Sequence, residues 1–390
     1  MRGVVEILFW TCFFIIFYTY AGYPLLVFLL IKIKKIFRKP TYFLQSECIP
    51  VTMIIAAYNE EKIIEKKIQN CLSLDYPAGM LKLIFITDGS SDGTDTIIKG
   101  HAGITLLHEP ERRGKQAAVN RAMVHVNTPV VIFTDANTLL NKRSVRYLMS
   151  HYTDPAVGGV AGEKRILQDN LPVGKGEGWY WRYESLLKRL DSSLETTVGA
   201  AGELFSVRTA LYTVLPENTI IEDFVQSLMV CLKGYSVRYE PRAFSEESAS
   251  LSIRDEMERK IRISAGAFQA MGLLRGLFNI PRHPVVSFQF ISHRILRWTL
   301  CPLSLVLLFA CSVALYFLTR GPWYGTAMIA QVIVYVSAAA GWWFARQNRR
   351  AKVVYLPFYF VFMNFCVFAG LARFLNGKHS VLWQKAERPG

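Results

Sequence analysis

The sequence predicts an α/β fold with a mainly parallel sheet, flanked by an N-terminal anchor helix and by C-terminal transmembrane helices. Three observations carry that expectation. Between positions 51 and 134, short β-branched apolar runs alternate with helix-period segments, the rhythm of βαβ units. One apolar run near the start and three near the end approach the roughly 20 residues that a spanning helix needs. The formal charge of +15 is gathered largely beside those runs, and the mean hydropathy is positive.

Taken in order, the first run, from Ile7 to Ile31, is too long for the apolar region of a signal peptide, and no small-residue cleavage site follows it. It reads as a retained anchor within residues 1–35. Lys32, Lys34, Lys35, Arg38 and Lys39 come next, which places the following domain in the cytoplasm by the positive-inside rule. That domain, 48–250, holds candidate strands at Val51–Ala57, Leu81–Thr87, Ile104–Leu107 and Val130–Thr134. Candidate helices are Glu60–Leu72, Asp92–Lys99 and Lys115–Val126. Within 251–292, Phe268, Met271, Leu274 and Phe278 recur at helical spacing with Arg275 alongside, which fits an interfacial amphipathic helix or a helix packed on the bundle.

The stretches Leu300–Leu318, Trp323–Phe344 and Val353–Ala372 form a bundle over 293–376, and 377–390 is a tail. Arg346, Arg349, Arg350 and Lys352 mark a cytoplasmic loop. Three full spans would send the tail outside, against the preference of Lys378, Lys385 and Arg388. Pro357 and Asn364 allow a kinked or re-entrant last segment, so the side of the tail stays open.

Basic residues that flank apolar runs point to membrane lipids and away from nucleic acid. The seven cysteines contain no CxxC pair and read as reduced. No apolar stretch carries an ionisable residue near its middle, which argues against an ion path.

In a parallel sheet, ligands sit beyond the carboxyl ends of the strands. Tyr58, Asn59 and Glu60 follow the first strand, Asp88 the second, and Asp135 and Asn137 the fourth. Asp92, in the small-residue turn Thr87 to Thr94, fits a helix cap as well as a ligand site. Asp135 and Asn137 are oxygen donors suited to Mg²⁺ or Mn²⁺ carrying a diphosphate. Lys115, near a helix start, can meet phosphate or remain a solvated surface lysine.

These segments resemble the inverting, family 2 glycosyltransferases with a GT-A fold, especially their membrane-integrated hyaluronan, cellulose and poly-N-acetylglucosamine synthases. The resemblance implies a nucleotide-sugar donor, a divalent cation, and a polysaccharide or lipid-linked acceptor. It assigns Ala57, Tyr58, Glu60 and Asp88 to nucleotide-sugar binding, and Asp135 and Asn137 to the metal held against the diphosphate; Lys115, read from its place at a helix start, would join the nucleotide-sugar site. Asn137 stands where the family has a second Asp. The stretch Gly199 to Arg208 looks like the acceptor loop, through Gly202 and Glu203. Ile220 to Phe224 looks like the element whose Asp is the general base, here Asp223, with Glu222 beside it. Both acidic residues could instead simply cap the next helix.

Arg259 to Gly266 resembles the family's membrane-proximal QxxRW box. Arg262 matches its Arg, while Arg259 replaces the Gln and Ile263 the Trp. The resemblance makes Arg259 and Arg262 diphosphate ligands, and the missing Trp weakens the expectation of processive synthesis. A single sugar addition is the alternative, and a non-catalytic glycan-assembly protein is the rival of another class. Sugar, nucleotide and oligomeric state are not fixed by the sequence; sugar choice is expected around Val160 to Lys164 and Gly199 to Glu203.

Overall fold

The computed structural model describes residues 2–37, 48–167, 172–248, 252–347 and 352–377. Arg38, Lys39, Arg349, Arg350 and the tail residues Lys378, Lys385 and Arg388 lie outside the described residues. The strands are β1 Val51–Ala57, β2 Leu81–Asp88, β3 Ile104–Glu109, β4 Val130–Asp135, β5 Leu139–Leu140, β6 Val157–Leu167, β7 Phe205–Arg208 and β8 Ser236–Ser248. The helices are α1 Arg2–Phe17, α2 Tyr23–Phe37, α3 Glu61–Leu72, α4 Thr94–Lys99, α5 Lys115–Met123, α6 Ser144–Met149 and α7 Pro172–Leu194. They continue as α8 Glu222–Leu232, α9 Ile253–Leu273, α10 Pro284–Phe290, α11 Leu296–Trp298, α12 Leu300–Thr319, α13 Pro322–Arg346 and α14 Lys352–Leu375.

One sheet runs in the order β3-β2-β1-β4-β7-β6-β8-β5. Its first four strands are parallel, as the βαβ rhythm requires, and β6 and β8 are also parallel. β7 runs antiparallel between β4 and β6, and β5 antiparallel to β8, so the sheet as a whole is mixed. The central strand β1 is buried almost throughout, consistent with its unbroken apolar sequence. Strands β2, β3 and β4 each extend one or two residues past the expected end, because Asp88, Glu109 and Asp135 still pair in the ladder or close it.

Four helices are long and apolar enough to cross a membrane: Arg2–Phe37, Leu300–Thr319, Pro322–Arg346 and Val353–Leu375. The N-terminal one is longer than the expected anchor. Its α1 half packs on α12, with Phe9 against Cys311 and Leu315. A π-turn at Tyr18–Gly22 follows, and the α2 half then leaves that contact for α7. There Tyr23 donates to Asp191 at 2.5 Å, and Lys34 bonds the Leu194 carbonyl. The second half therefore anchors the sheet domain as well as the membrane segment.

The segment 251–292, read as an interfacial helix or one packed on the bundle, makes packing contacts through residues at the helical spacing. Leu274 and Leu277 sit in the same core cluster as Phe224 and Phe290, and Phe268 meets Phe374 with ring centroids 6.2 Å apart. Its partner α14 follows α9 in the same direction over most of its length. Tyr359 donates to Glu256 at 3.3 Å, and Arg373 reaches Glu258 at 3.4 Å. Gly370 lies so close to α9 that a Cβ there would stand 2.5 Å from the Ser264 Cβ. Composition lets α14 span a bilayer, but its packing ties both halves to a helix of the sheet domain.

Candidate active site

The carboxyl ends of β1, β2 and β4 open on one side of the sheet, and the residues expected there meet. A pocket open to solvent is lined by Ala57, Tyr58, Asp88, Arg112, Gly114 and Lys115, among others. The Arg112 guanidinium lies 3.7 Å above the Tyr58 ring centroid. Asp88 accepts the backbone N–H groups of Arg113 at 3.1 Å and Gly114 at 2.6 Å, and the Arg121 guanidinium at 3.2 Å. It thus shapes the loop that delivers Lys115. Glu60 is buried at the start of α3, where its carbonyl accepts from Ile63 and Ile64. Asp92 accepts the amides of Thr94 at 3.1 Å and Glu61 at 3.2 Å, which ties the turn before α4 to the start of α3; the N-cap position of α4 is Gly93.

Lys115 is no solvated surface lysine. Its ammonium bonds Asp135 at 2.7 Å and Glu222 at 2.8 Å. Gly202 approaches so closely that a Cβ there would come within 3.2 Å of the Lys115 ammonium and 3.4 Å of Asp223 Oδ2. Gly199, at φ 91°, carries the same loop past the Phe224 ring, which a Cβ would meet at 2.2 Å. Asp223 has no cation within ion-pair distance among the described residues. Burial, and then the neighbouring charge of Glu222, push its carboxyl up to about 7, against the opposing pull of Lys115. Asp135 also lies above its ordinary value through burial, which Lys115 opposes. Glu222 and Asp223 stand in the first turn of α8, where the helix dipole favours acids, but neither caps the helix by a side-chain hydrogen bond.

Asp135 Oδ2 and Asn137 Oδ1 have no protein partner among the described residues, since Lys115 bonds Oδ1 of the aspartate and the Asn137 amide nitrogen donates to Glu247 at 3.4 Å. No group of three or more His, Cys, Asp or Glu able to hold a metal occurs among the described residues. One carboxylate oxygen and one amide oxygen fit a cation that takes most of its shell from a diphosphate and water, as Mg²⁺ does. They do not form an all-protein cage.

Arg262 and Arg259 part company. Arg262 is partly buried on α9, facing the charge of Glu222 and more distantly Asp135, and it has no hydrogen-bond or ion-pair partner among the described residues. Arg259 is turned to Glu256, with contacts of 2.8 to 3.1 Å. Sequence reasoning placed Lys164 only at the end of the stretch expected to set sugar choice and missed its pairing with both Glu203 and Glu247, which ties the loop from Gly199 to Arg208 to β8. It also missed Lys67, fully buried, which donates to Thr134 at 2.9 Å and to the Thr138 carbonyl at 2.8 Å on either side of Asp135. A lysine on the apolar stripe Ile64, Lys67, Ile68, Cys71 was its available signal.

The parallel half-sheet, the strand-end acids and the mixed second half define a GT-A fold. Residues 52–208 match the family model described as Glycosyl transferase family 2. A poly-beta-1,6-N-acetyl-D-glucosamine synthase of Staphylococcus aureus is 28% identical over 254 residues, 62% of this chain and 60% of the relative. The synthase of the same name from Staphylococcus epidermidis is 27% identical over 230 residues, 57% of this chain and 55% of the relative. The chain thus spans less than two thirds of the length of these relatives. A mannosyltransferase from Pyrobaculum calidifontis, solved with GDP-Man and Mn²⁺, superposes with a TM-score of 0.69 over 96% of this chain and 99% of its own, at 22% identity. That likeness is one of fold.

Proposed function

We propose that this protein is a membrane glycosyltransferase that moves a sugar, with inversion, from a UDP-linked donor to a growing polysaccharide or other membrane-associated acceptor. The placement of Asp223 carries the reading: a carboxyl with a raised pKa, beside the acceptor loop at Gly202 and the Lys115–Asp135 pair. The nucleoside lies in the pocket between Tyr58, Asp88 and Arg112, and Arg262 offsets negative charge on the departing diphosphate. Asp135 and Asn137 would hold Mg²⁺ or Mn²⁺, which when bound supplies further positive charge to that diphosphate. Asp223 takes the proton of the acceptor hydroxyl as it attacks the anomeric carbon on the face opposite the nucleotide. The family domain and the synthase relatives support sugar transfer to a polysaccharide, with N-acetylglucosamine the first sugar to try. Basic residues after the N-terminal helix support a cytoplasmic site at a bacterial inner membrane.

Addition of a single sugar to a lipid-linked acceptor is favoured by one observation, Ile263 in the place of the box Trp. Product length after reaction with labelled donor separates the two readings. The central test is nucleotide release from purified protein over a panel of UDP-, GDP- and TDP-sugars with Mg²⁺ or Mn²⁺. Release with one donor, lost in Asp223→Asn, is the expected result; wild-type turnover in that variant would remove Asp223 as the base.

A further inference from the structure

Lys188 stands on α7, 4% exposed, with no hydrogen-bond or ion-pair partner among the described residues. Its ammonium lies 5.7 Å from the Trp181 ring centroid and 5.9 Å from that of Tyr239. Tyr239 is 6% exposed, and its hydroxyl is buried with no hydrogen-bond partner. Glu163, whose Oε1 accepts from Ser185 at 2.6 Å, has a buried Oε2 that is likewise unbonded. Buried polar groups are normally satisfied, and leaving one unpaired costs free energy. Here an ammonium, a phenol and a carboxylate oxygen are left so in one neighbourhood.

That neighbourhood adjoins the acceptor loop. The Trp181 ring centroid is 5.2 Å from the Lys164 ammonium, which pairs with Glu203, and Glu203 follows the glycine that touches Asp223. We infer that Lys188, Tyr239 and Trp181 line a subsite for the acceptor, and that its ligand is a neutral, hydroxyl-rich chain such as an oligosaccharide. The inference rests on the transferase reading above. Glu163, Glu184 and Glu203 all act electrostatically on Lys188, as does Arg294 with the opposite sign. The other cations nearby are already matched, Lys164 by Glu203 and Glu247, Lys260 by Glu256 and Arg294 by Glu184, which makes the subsite a poor one for a phosphate or another anion. Hydroxyls can accept from the ammonium, exchange bonds with the phenol and donate to Glu163, against an aromatic wall.

The test uses the full chain in detergent, with UDP-N-acetylglucosamine as donor and an N-acetylglucosamine tetrasaccharide as acceptor. Lys188→Met should raise the tetrasaccharide KM about tenfold while the donor KM moves about twofold or less, and Tyr239→Phe should act in the same direction. Removing a buried, unpaired charge should leave the thermal midpoint of Lys188→Met equal or higher, whereas a structural lysine would lower it. An unchanged tetrasaccharide KM in both variants, or donor and acceptor KM rising together, overturns the subsite. So does a wild type that releases nucleotide but shows no tetrasaccharide binding by saturation-transfer NMR. A wild type that releases nucleotide from no donor removes the transferase reading itself.

Discussion

Two of the clusters of buried charge in this molecule are built to opposite ends. Between the sheet domain and the membrane helices, Glu184 is bonded by Arg294 at 2.9 Å and also by Arg297, while Asp191 takes His293 at 2.6 Å and Tyr23 at 2.5 Å. Burial alone would raise Glu184, but the two guanidinium groups overcome it and hold the carboxyl well below its usual range. At the strand ends, Lys115 is shared between Asp135 and Glu222, and Asp223 is left above its range. Matched charge fixes α7 to the segment that enters the membrane. Unmatched charge leaves an acid able to take a proton.

The comparison breaks most visibly at its two carboxylates. Asp223→Asn should lower transfer by about two to four orders of magnitude, measured as nucleotide release with acceptor present. The same variant should be more stable than wild type at pH 8. Between its ordinary value near 3.8 and about 7, native Asp223 keeps a proton that the unfolded chain has released, so stability falls as pH rises across that window. An amide removes the effect, and thermal melts should show a smaller difference at pH 5, where the window has only been entered, than at pH 8, where it has been crossed.

Glu184→Ala should do the reverse. It strands Arg294 and Arg297 in a buried site at a cost of about 3–5 kcal/mol, with activity lost only as folded protein is lost. Denaturation and specific activity per folded molecule separate these cases.

Smaller effects sharpen the picture of the unmatched cluster. The pH profile of kcat/KM should rise through about 7 as Asp223 loses its proton, and Glu222→Gln should move that limb to lower pH by removing a charge that raises Asp223. A limb that stays in place would mean that burial alone sets it. Gly199→Ala, which drives a Cβ into Phe224 at a positive φ, should cost about 1–3 kcal/mol, read from the thermal midpoint.

The first half of the sheet and three strand-end acids were legible because parallel βαβ units write themselves in local pattern: Val51–Ala57 is buried on both faces and reads as a continuous apolar run. Strands β6, β7 and β8 were not, since their pairing joins residues far apart, such as Gly159 with Val207 and Lys164 with Ser245. Lys164 and Glu247 therefore became visible only when those strands met. Asp223 was legible through resemblance, whereas its raised pKa depends on the approach of Glu222, Lys115 and the Gly202 loop, which no local pattern records. The last apolar stretch was read as a span from composition, but its packing against α9 depends on Gly370 and Ser264 coming together across the fold.

That packing has a mechanical meaning. Val353, Leu356, Phe365, Phe368 and Leu375 leave an apolar face of α14 exposed, while its other face grips the helix that carries Arg262. A reporter joined after Gly377 should accordingly be found on the same side of the bilayer as the sheet domain. Contact of backbone on side chain at Gly370 transmits displacement with little slack. Lipid that tilts or lifts α14 should therefore displace α9, and Arg262 with it.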